Sequence, residues 1–369
     1  MSSERRVGVW RQVALLVLFL GLTSLVILEF TSVREFGQAL ASVTWYWIIV
    51  SALLFLVSFY LYALLYHVGL RAVGVSSRTL DLLIPLMVSI FLNTAAPVGE
   101  AIFVEYAVER RQSGARTAAG VILVLALDLA TTLPFVVAGL AFLRSRGKLP
   151  SYYLIVSVLF LLVILLFIAG LWLARVRRSW LEKVLRWCQR AVNRVARTFK
   201  RRELGSDTWA ARSADQFSEA SGSMVAHPGL LALSVVVGLL SHVVNAAGLY
   251  TLFLAFGQHV ALGTVTAGFS MSIVLYVIAV TPQGVGATEG VMSLLFVSMG
   301  VPSATTVAVA VTYRVFNVWV PLVLGYLFAR RMRIFGGRPP TGRRNRGEFP
   351  VSAGGNADAS EEKSYPNPG

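Results

Sequence analysis

Charge is what this sequence has least of. Asp, Glu, Lys and Arg together make up 14% of its 369 residues, against about 25% in an ordinary soluble domain. Apolar residues account for 56%. That balance excludes both a standard water-soluble globule and an intrinsically disordered chain. Cysteine is almost absent: Cys188 stands alone, which excludes a disulfide scaffold. Histidines occur at 67, 227, 242 and 259, with no pairing to another His or a Cys at metal-ligand spacing, so no metal and no cofactor is expected. Acidic residues are outnumbered, 18 against 33 basic ones, for a net charge of +15. The bases lie between and after apolar segments, where topology and anionic lipid account for them; a nucleic-acid partner is not expected. The motifs G-x-x-x-x-G-K-[ST], G-x-S-x-G, H-E-x-x-H and C-x-x-C are missing too, so the chain reads as neither an ATPase nor an enzyme.

What is present is a series of long apolar segments, at approximately 9–29, 45–68, 117–143, 151–174, 230–256 and 303–329. Each is long enough to cross a bilayer core of ~30 Å as a helix. Two further stretches differ. Leu80–Ala96 runs into Pro97-Val98-Gly99-Glu100, and Thr264–Val280 runs into Thr281-Pro282-Gln283-Gly284-Val285-Gly286-Ala287-Thr288-Glu289. Each is followed by an apolar stretch too short to cross, 101–108 and 290–299.

The distribution of basic residues decides how these two stretches are read. Arg5, Arg6 and Arg11 place the N-terminus inside. If 80–108 enters and turns back as a re-entrant hairpin, the loop 175–226, with twelve Lys and Arg, also stays inside. A second hairpin at 264–299, entering from the opposite face, leaves Arg330 to Arg346 inside. One loop, with Arg144, Arg146 and Lys148, falls outside against the trend. The expected fold is therefore an all-α polytopic membrane protein. Six spanning helices and two re-entrant helical hairpins form an inverted repeat, a plan used by many transporters. The competing reading is that Pro and Gly merely kink two ordinary membrane helices.

A transmembrane domain is expected over 1–335, with a disordered cytoplasmic tail over 336–369 rich in Gly, Pro, Arg and Asn. Ala39-Leu40-Ala41 resembles a signal-peptide cleavage site but lies too far beyond the apolar run, so the first helix reads as a retained anchor. Within 177–202, apolar residues from Trp180 to Phe199 and a row of arginines from Arg186 to Arg201 each recur every three or four residues. That pattern predicts an amphipathic helix lying on an anionic leaflet.

Arg314 is the one basic residue deep inside a spanning segment, and Asp128 is its acidic match. An unpaired charge at the membrane midplane costs roughly 2.5–3.5 kcal/mol on insertion scales. Both are therefore expected to face the bundle interior and to pair with each other, either as architecture or as the wall of a polar cavity that meets a phosphate. The hairpin turns add a second signal. A return arm starting near the midplane presents unpartnered backbone N–H groups and partial positive charge, and Gly99, Gly284 and Gly286 let a ligand approach that backbone. Pro97 and Pro282 close the entering arms, while Glu100 and Glu289 occupy the first turns of the returning ones. Asn93, Thr94, Ser241, His242, Asn245 and Asn317 are further polar residues in apolar runs. Each alone suits an interhelical hydrogen bond; together they point to a wet interior.

These residues carry a resemblance. Over approximately 10–333 the chain resembles the transmembrane domain of lysylphosphatidylglycerol synthases and the wider flippase-like family of membrane proteins. The resemblance is strongest at Thr281-Pro282-Gln283-Gly284-Val285-Gly286-Ala287-Thr288-Glu289, Gly300-Val301 and Arg314, then at Asn93, Pro97, Gly99-Glu100 and Asp128. It implies a lipid flippase or lipid-carrier translocator; the expected setting is a prokaryotic cytoplasmic membrane, and the basic residues put both termini on its cytoplasmic side. The substrate is expected to be an anionic phospholipid or a polyprenyl-phosphate. The soluble aminoacyl-transfer domain of the synthases is expected to be lacking, so the chain should not aminoacylate lipid by itself. The alternative is an accessory subunit that presents lipid to a separate lipid-modifying transferase; a homo-oligomer is left open.

Overall fold

The computed structural model describes residues 43–94, 99–148, 151–176, 227–278, 284 and 286–331, with isolated positions at 182, 183, 186, 187, 190, 215 and 222. The segment 9–29, the tail 336–369, most of the amphipathic stretch 177–202, Pro97 and Pro282 lie outside these residues. Among the described residues every regular element is a helix.

The helices follow a repeating pattern of lengths. α1 (Trp45–Ala72) has 28 residues and rises about 42 Å. Two short helices follow, α2 (Thr79–Asn93, 15 residues) and α3 (Ala101–Glu109, 9 residues), which rise about 22 and 13 Å. α4 (Gly114–Ser145) is long again, with 32 residues. Ser113 starts it by accepting the Arg116 N–H at 3.3 Å, relieving one of the orphan donors of the first turn. α5 (Ser151–Val176) stands between the two patterns. The order then recurs: α6 (Pro228–Ala255) is long, with Pro in its first turn, where a missing N–H costs nothing. α7 (Leu262–Ile278) and α8 (Ala287–Ser298) are short, at 17 and 12 residues. The last helix runs from Ser303 to Arg331 as α9 (Ser303–Arg314), a single π turn (Val315–Trp319) and α10 (Val320–Arg331).

Four of these helices are long and apolar enough to cross a membrane: Trp45–Ala72, Gly114–Ser145, Pro228–Ala255 and Ser303–Arg330. Their surfaces fit that solvent. Leu56, Val137, Ile155, Val236 and Leu327 are exposed, while Ser51, Thr132, Ser234, Ser270 and Thr306 are buried. Lipid removes the reason to hide apolar side chains, and the helices instead associate through close packing and interhelical hydrogen bonds.

The packing is reciprocal between the two halves. α1 and α6 lie antiparallel along their whole length. The Thr44 N–H donates to the Ala255 carbonyl at 2.9 Å, Ser51 and Thr251 share a hydroxyl bond of 2.8 Å, Asn245 Nδ2 donates to Ser58 at 3.2 Å, and Ala72 packs with Leu230 and Leu231. The short α2 of the first half packs on α10 of the second, and the short α7 of the second packs on α4 of the first. Glycine brings both contacts close. A Cβ on Gly325 would come within 2.1 Å of the Met87 carbonyl oxygen, and one on Gly139 within 3.0 Å of Ala267 Cα. The site lies where these two crossed contacts meet.

Candidate functional site

A cavity of about 480 Å³ opens between the halves. Apolar and aromatic side chains form most of its wall, with a few polar groups converging on it, as small-molecule sites do. Of the residues predicted from the sequence, Asn93, Glu100, Asp128, Arg314 and Asn317 line it.

The second half contributes an ion pair. Arg314 ends α9 and donates its Nε hydrogen to Glu289 Oε1. The other carboxylate oxygen of Glu289 accepts the Gly286 N–H at 2.8 Å, so one carboxylate both caps α8 and holds the arginine. Gly286 makes this possible with φ +83°, and Gly284 precedes it at φ +68°, a region that disfavours side chains. Both charged side chains are about nine-tenths buried. Thr288, 1% exposed, lines the cavity from the first turn of α8, and its hydroxyl has no hydrogen-bond partner among the described residues.

Among the described residues the first half has no such pair. Asn93, the last residue of α2, accepts the Gly99 N–H at 2.7 Å and donates to Glu100 Oε1 at 2.9 Å. A neutral amide thus ties α2 to the N-terminus of α3. Gly99 has no room for a side chain, since its Cβ would lie 2.1 Å from the Ser89 carbonyl oxygen.

Asp128, at the middle of α4, faces α6. Its Oδ1 lies 3.4 Å from His242 Nε2, beside the Tyr62 hydroxyl of α1. This corrects the expected pairing of Asp128 with Arg314: each has a different partner. Position along a helix fixes depth, but which neighbour a face meets depends on helix rotation. Counting from the turns shows the same mismatch. Fourteen residues separate Glu100 from Gly114 at the start of α4, and fourteen separate Glu289 from Ser303 at the start of α9. By that register the counterpart of Asp128 is Asn317, and the counterpart of Arg314 is Leu125.

A polar chain connects the remaining residues. Asn245 donates to Asn317 Oδ1 at 2.8 Å and accepts from the Tyr313 hydroxyl at 3.0 Å. Asn317 donates to the Tyr313 carbonyl at 3.1 Å. The π turn that carries Asn317 begins directly after Arg314; single π turns within helices often mark functional positions. Sequence reasoning missed this turn, along with Tyr62, Tyr66, Tyr276 and Tyr313 on the cavity wall. The signal available was the hydroxyl-bearing ring within apolar runs, with Tyr62 and Tyr66 four apart and so on one face.

A multi-pass helical membrane protein with a central, partly charged cavity is the class that fold and site define. The chain matches the family described as lysylphosphatidylglycerol synthase TM region over residues 9–325, and it belongs to that family. It is also similar to three archaeal UPF0104 membrane proteins. One from Methanothermobacter thermautotrophicus is 29% identical over 99 residues, 27% of this chain and 30% of the relative. PH1989 of Pyrococcus horikoshii is 34% identical over 84 residues, 23% and 25% of the two chains. MJ1595 of Methanocaldococcus jannaschii is 25% identical over 95 residues, 26% and 28%. The chain thus spans about a quarter to a third of the length of these curated relatives.

Proposed function

We propose that this protein translocates a phosphate-bearing lipid, a phospholipid or a polyprenyl-phosphate, between the leaflets of a prokaryotic cytoplasmic membrane. In this reading the chain crosses six times with both termini cytoplasmic, and the pairs α2–α3 and α7–α8 are re-entrant hairpins entering from opposite faces. Their lengths support this, since none of the four reaches ~30 Å. The antiparallel α1–α6 pair and the crossed contacts α2–α10 and α7–α4 support an inverted repeat around the cavity, the usual setting of a transporter site.

One observation carries the reading. Arg314, the first turn of α8 and the Thr288 hydroxyl, unpartnered among the described residues, converge on one wall of the cavity. A guanidinium, a hydroxyl and a helix N-terminus are a donor set for phosphate oxygens. The phosphate sits against that wall, the aromatic and aliphatic surface takes the first part of the lipid tail, and Glu100 and Asp128 face it from the other half. Lipid moves down its own gradient or that of a coupled ion.

The test is lipid movement in proteoliposomes, comparing labelled anionic, zwitterionic and polyprenyl-phosphate lipids. One class should move, Arg314→Ala should abolish its movement, and the near-isosteric Thr288→Val should slow it about tenfold, the equivalent of about 1.4 kcal/mol, as for one lost charge-assisted hydrogen bond. Movement unaffected by Arg314→Ala in folded protein overturns the reading. No movement of any lipid by the folded wild type transfers it to an accessory role beside a lipid-modifying transferase.

A further inference from the structure

Asp128 and His242 are not used by the phosphate wall, and both are placed as a proton site would require. Asp128 Oδ1 is buried with no hydrogen-bond partner among the described residues, and the Tyr62 hydroxyl stands beside the carboxylate. His242 Nε2 stands 3.4 Å from it and 3.2 Å from Thr132 Oγ1. Thr132 has a single hydroxyl hydrogen, and the Asp128 main-chain carbonyl accepts it at 2.9 Å. With that hydrogen engaged, Nε2 meets only oxygen acceptors, Thr132 Oγ1, Asp128 Oδ1 and the Asp128 main-chain carbonyl at 3.4 Å, surroundings that favour a proton on this nitrogen. His242 is 7% exposed, and the rings of Phe135 and Phe269 pack against it. The groups that face the pair are Tyr62 and Tyr66 on α1, Glu100 at the start of α3, Tyr276 on α7 and Arg314 on α9. Tyrosines stay neutral near pH 7, and the charge of Arg314 is met by Glu289. Among the described residues, the basic side chains on the cavity wall that face Glu100 and Asp128 are Arg314 and His242.

We infer that the Asp128–His242 pair takes up one proton from water on one side of the membrane and releases it to water on the other as the lipid crosses. Loaded, the pair is an imidazolium beside a carboxylate, with no net charge. Unloaded, it carries one negative charge, which repels a phosphate entering the same cavity. Lipid and proton therefore bind together, each raising the affinity for the other by the same factor. The inference rests on the lipid-translocation reading for its purpose, and on the pair's own titration for its existence.

Two readouts separate those dependencies. The first is infrared difference spectroscopy of the full-length protein in nanodiscs, stepped in pH. A carboxyl band and an imidazole band should change together in the wild type. Asp128→Asn should lower the proton affinity of the imidazole about tenfold by removing its counter-charge, and His242→Gln should shift the carboxyl band. Independent titration of the two groups overturns the proposal. The second readout is lipid movement in proteoliposomes containing a pH dye, under an imposed pH gradient. Lipid should accumulate toward the alkaline side with matching acidification there. In Asp128→Asn and in His242→Gln, any remaining movement should ignore the gradient. A gradient response retained in both variants overturns the proposal, as does a wild-type response to a sodium gradient alone. If no lipid moves in any protein but the two bands titrate together, the proton site stands and the lipid reading falls. If lipid moves without regard to pH and the bands titrate apart, the reverse holds.

Discussion

The two halves of this protein share a scaffold and differ in how each closes its short pair of helices. In the second half Glu289 caps α8 and binds Arg314 of the following long helix. In the first half Glu100 stands in the corresponding turn but binds the neutral Asn93 amide of the preceding helix, and Leu125 occupies the register position that Arg314 holds. The second closure is a buried ion pair within one half. The first is a hydrogen-bonded tie that leaves a carboxylate facing the cavity. Corresponding positions in the two halves can thus be held by unequal interactions.

The comparison breaks most severely at the ion pair. Glu289→Gln leaves Arg314 buried without its carboxylate, while the amide oxygen can still accept the Gly286 N–H that caps α8. Losing one partner of such a pair costs about 3–5 kcal/mol, so thermal unfolding in detergent should show a large drop. Glu100→Gln should cost under about 1 kcal/mol, because the amide oxygen still accepts from Asn93. Equal losses in the two variants would refute the contrast.

A smaller effect separates the two crossed contacts. Gly325→Ala drives a methyl into the Met87 main-chain carbonyl, whereas Gly139→Ala meets the movable Ser270 and Tyr153 hydroxyls before it meets Ala267 Cα. The first should cost about 3 kcal/mol and the second about 1. Asn93→Ala removes both an acceptor for the Gly99 N–H and the donor to Glu100, a loss of about 1–3 kcal/mol. Thermal unfolding in detergent should show the loss. The smallest effect is Gly290→Ala. A Cβ there meets nothing within 4 Å, and α8 should gain up to about 1 kcal/mol of helix propensity.

Much of this arrangement could be read without coordinates. Segment lengths and the scarcity of charge give the long helices at 45–72, 114–145, 228–255 and 303–331, because only helices satisfy the backbone in hydrocarbon. The short pairs follow from Gly99-Glu100 and Gly284 to Glu289, where runs too brief to cross are bracketed by residues that turn. Asp128, Arg314, Asn93 and Asn317 stand out as polar residues in apolar runs, and all four reach the cavity.

Partner choice was decided elsewhere. Hydrophobicity and periodicity are properties of a segment and determine whether it forms a helix and how deep each residue lies. Which carboxylate meets Arg314, and whether Asp128 meets an arginine or a histidine, depends on how neighbouring helices rotate about their axes. That rotation is set by steric fits such as Gly325 on Met87 and Gly268 on Phe296, between residues far apart in the chain. The π turn at Val315–Trp319 has the same origin, since an extra residue in a turn re-aims the side chains around it without leaving a mark in the local composition.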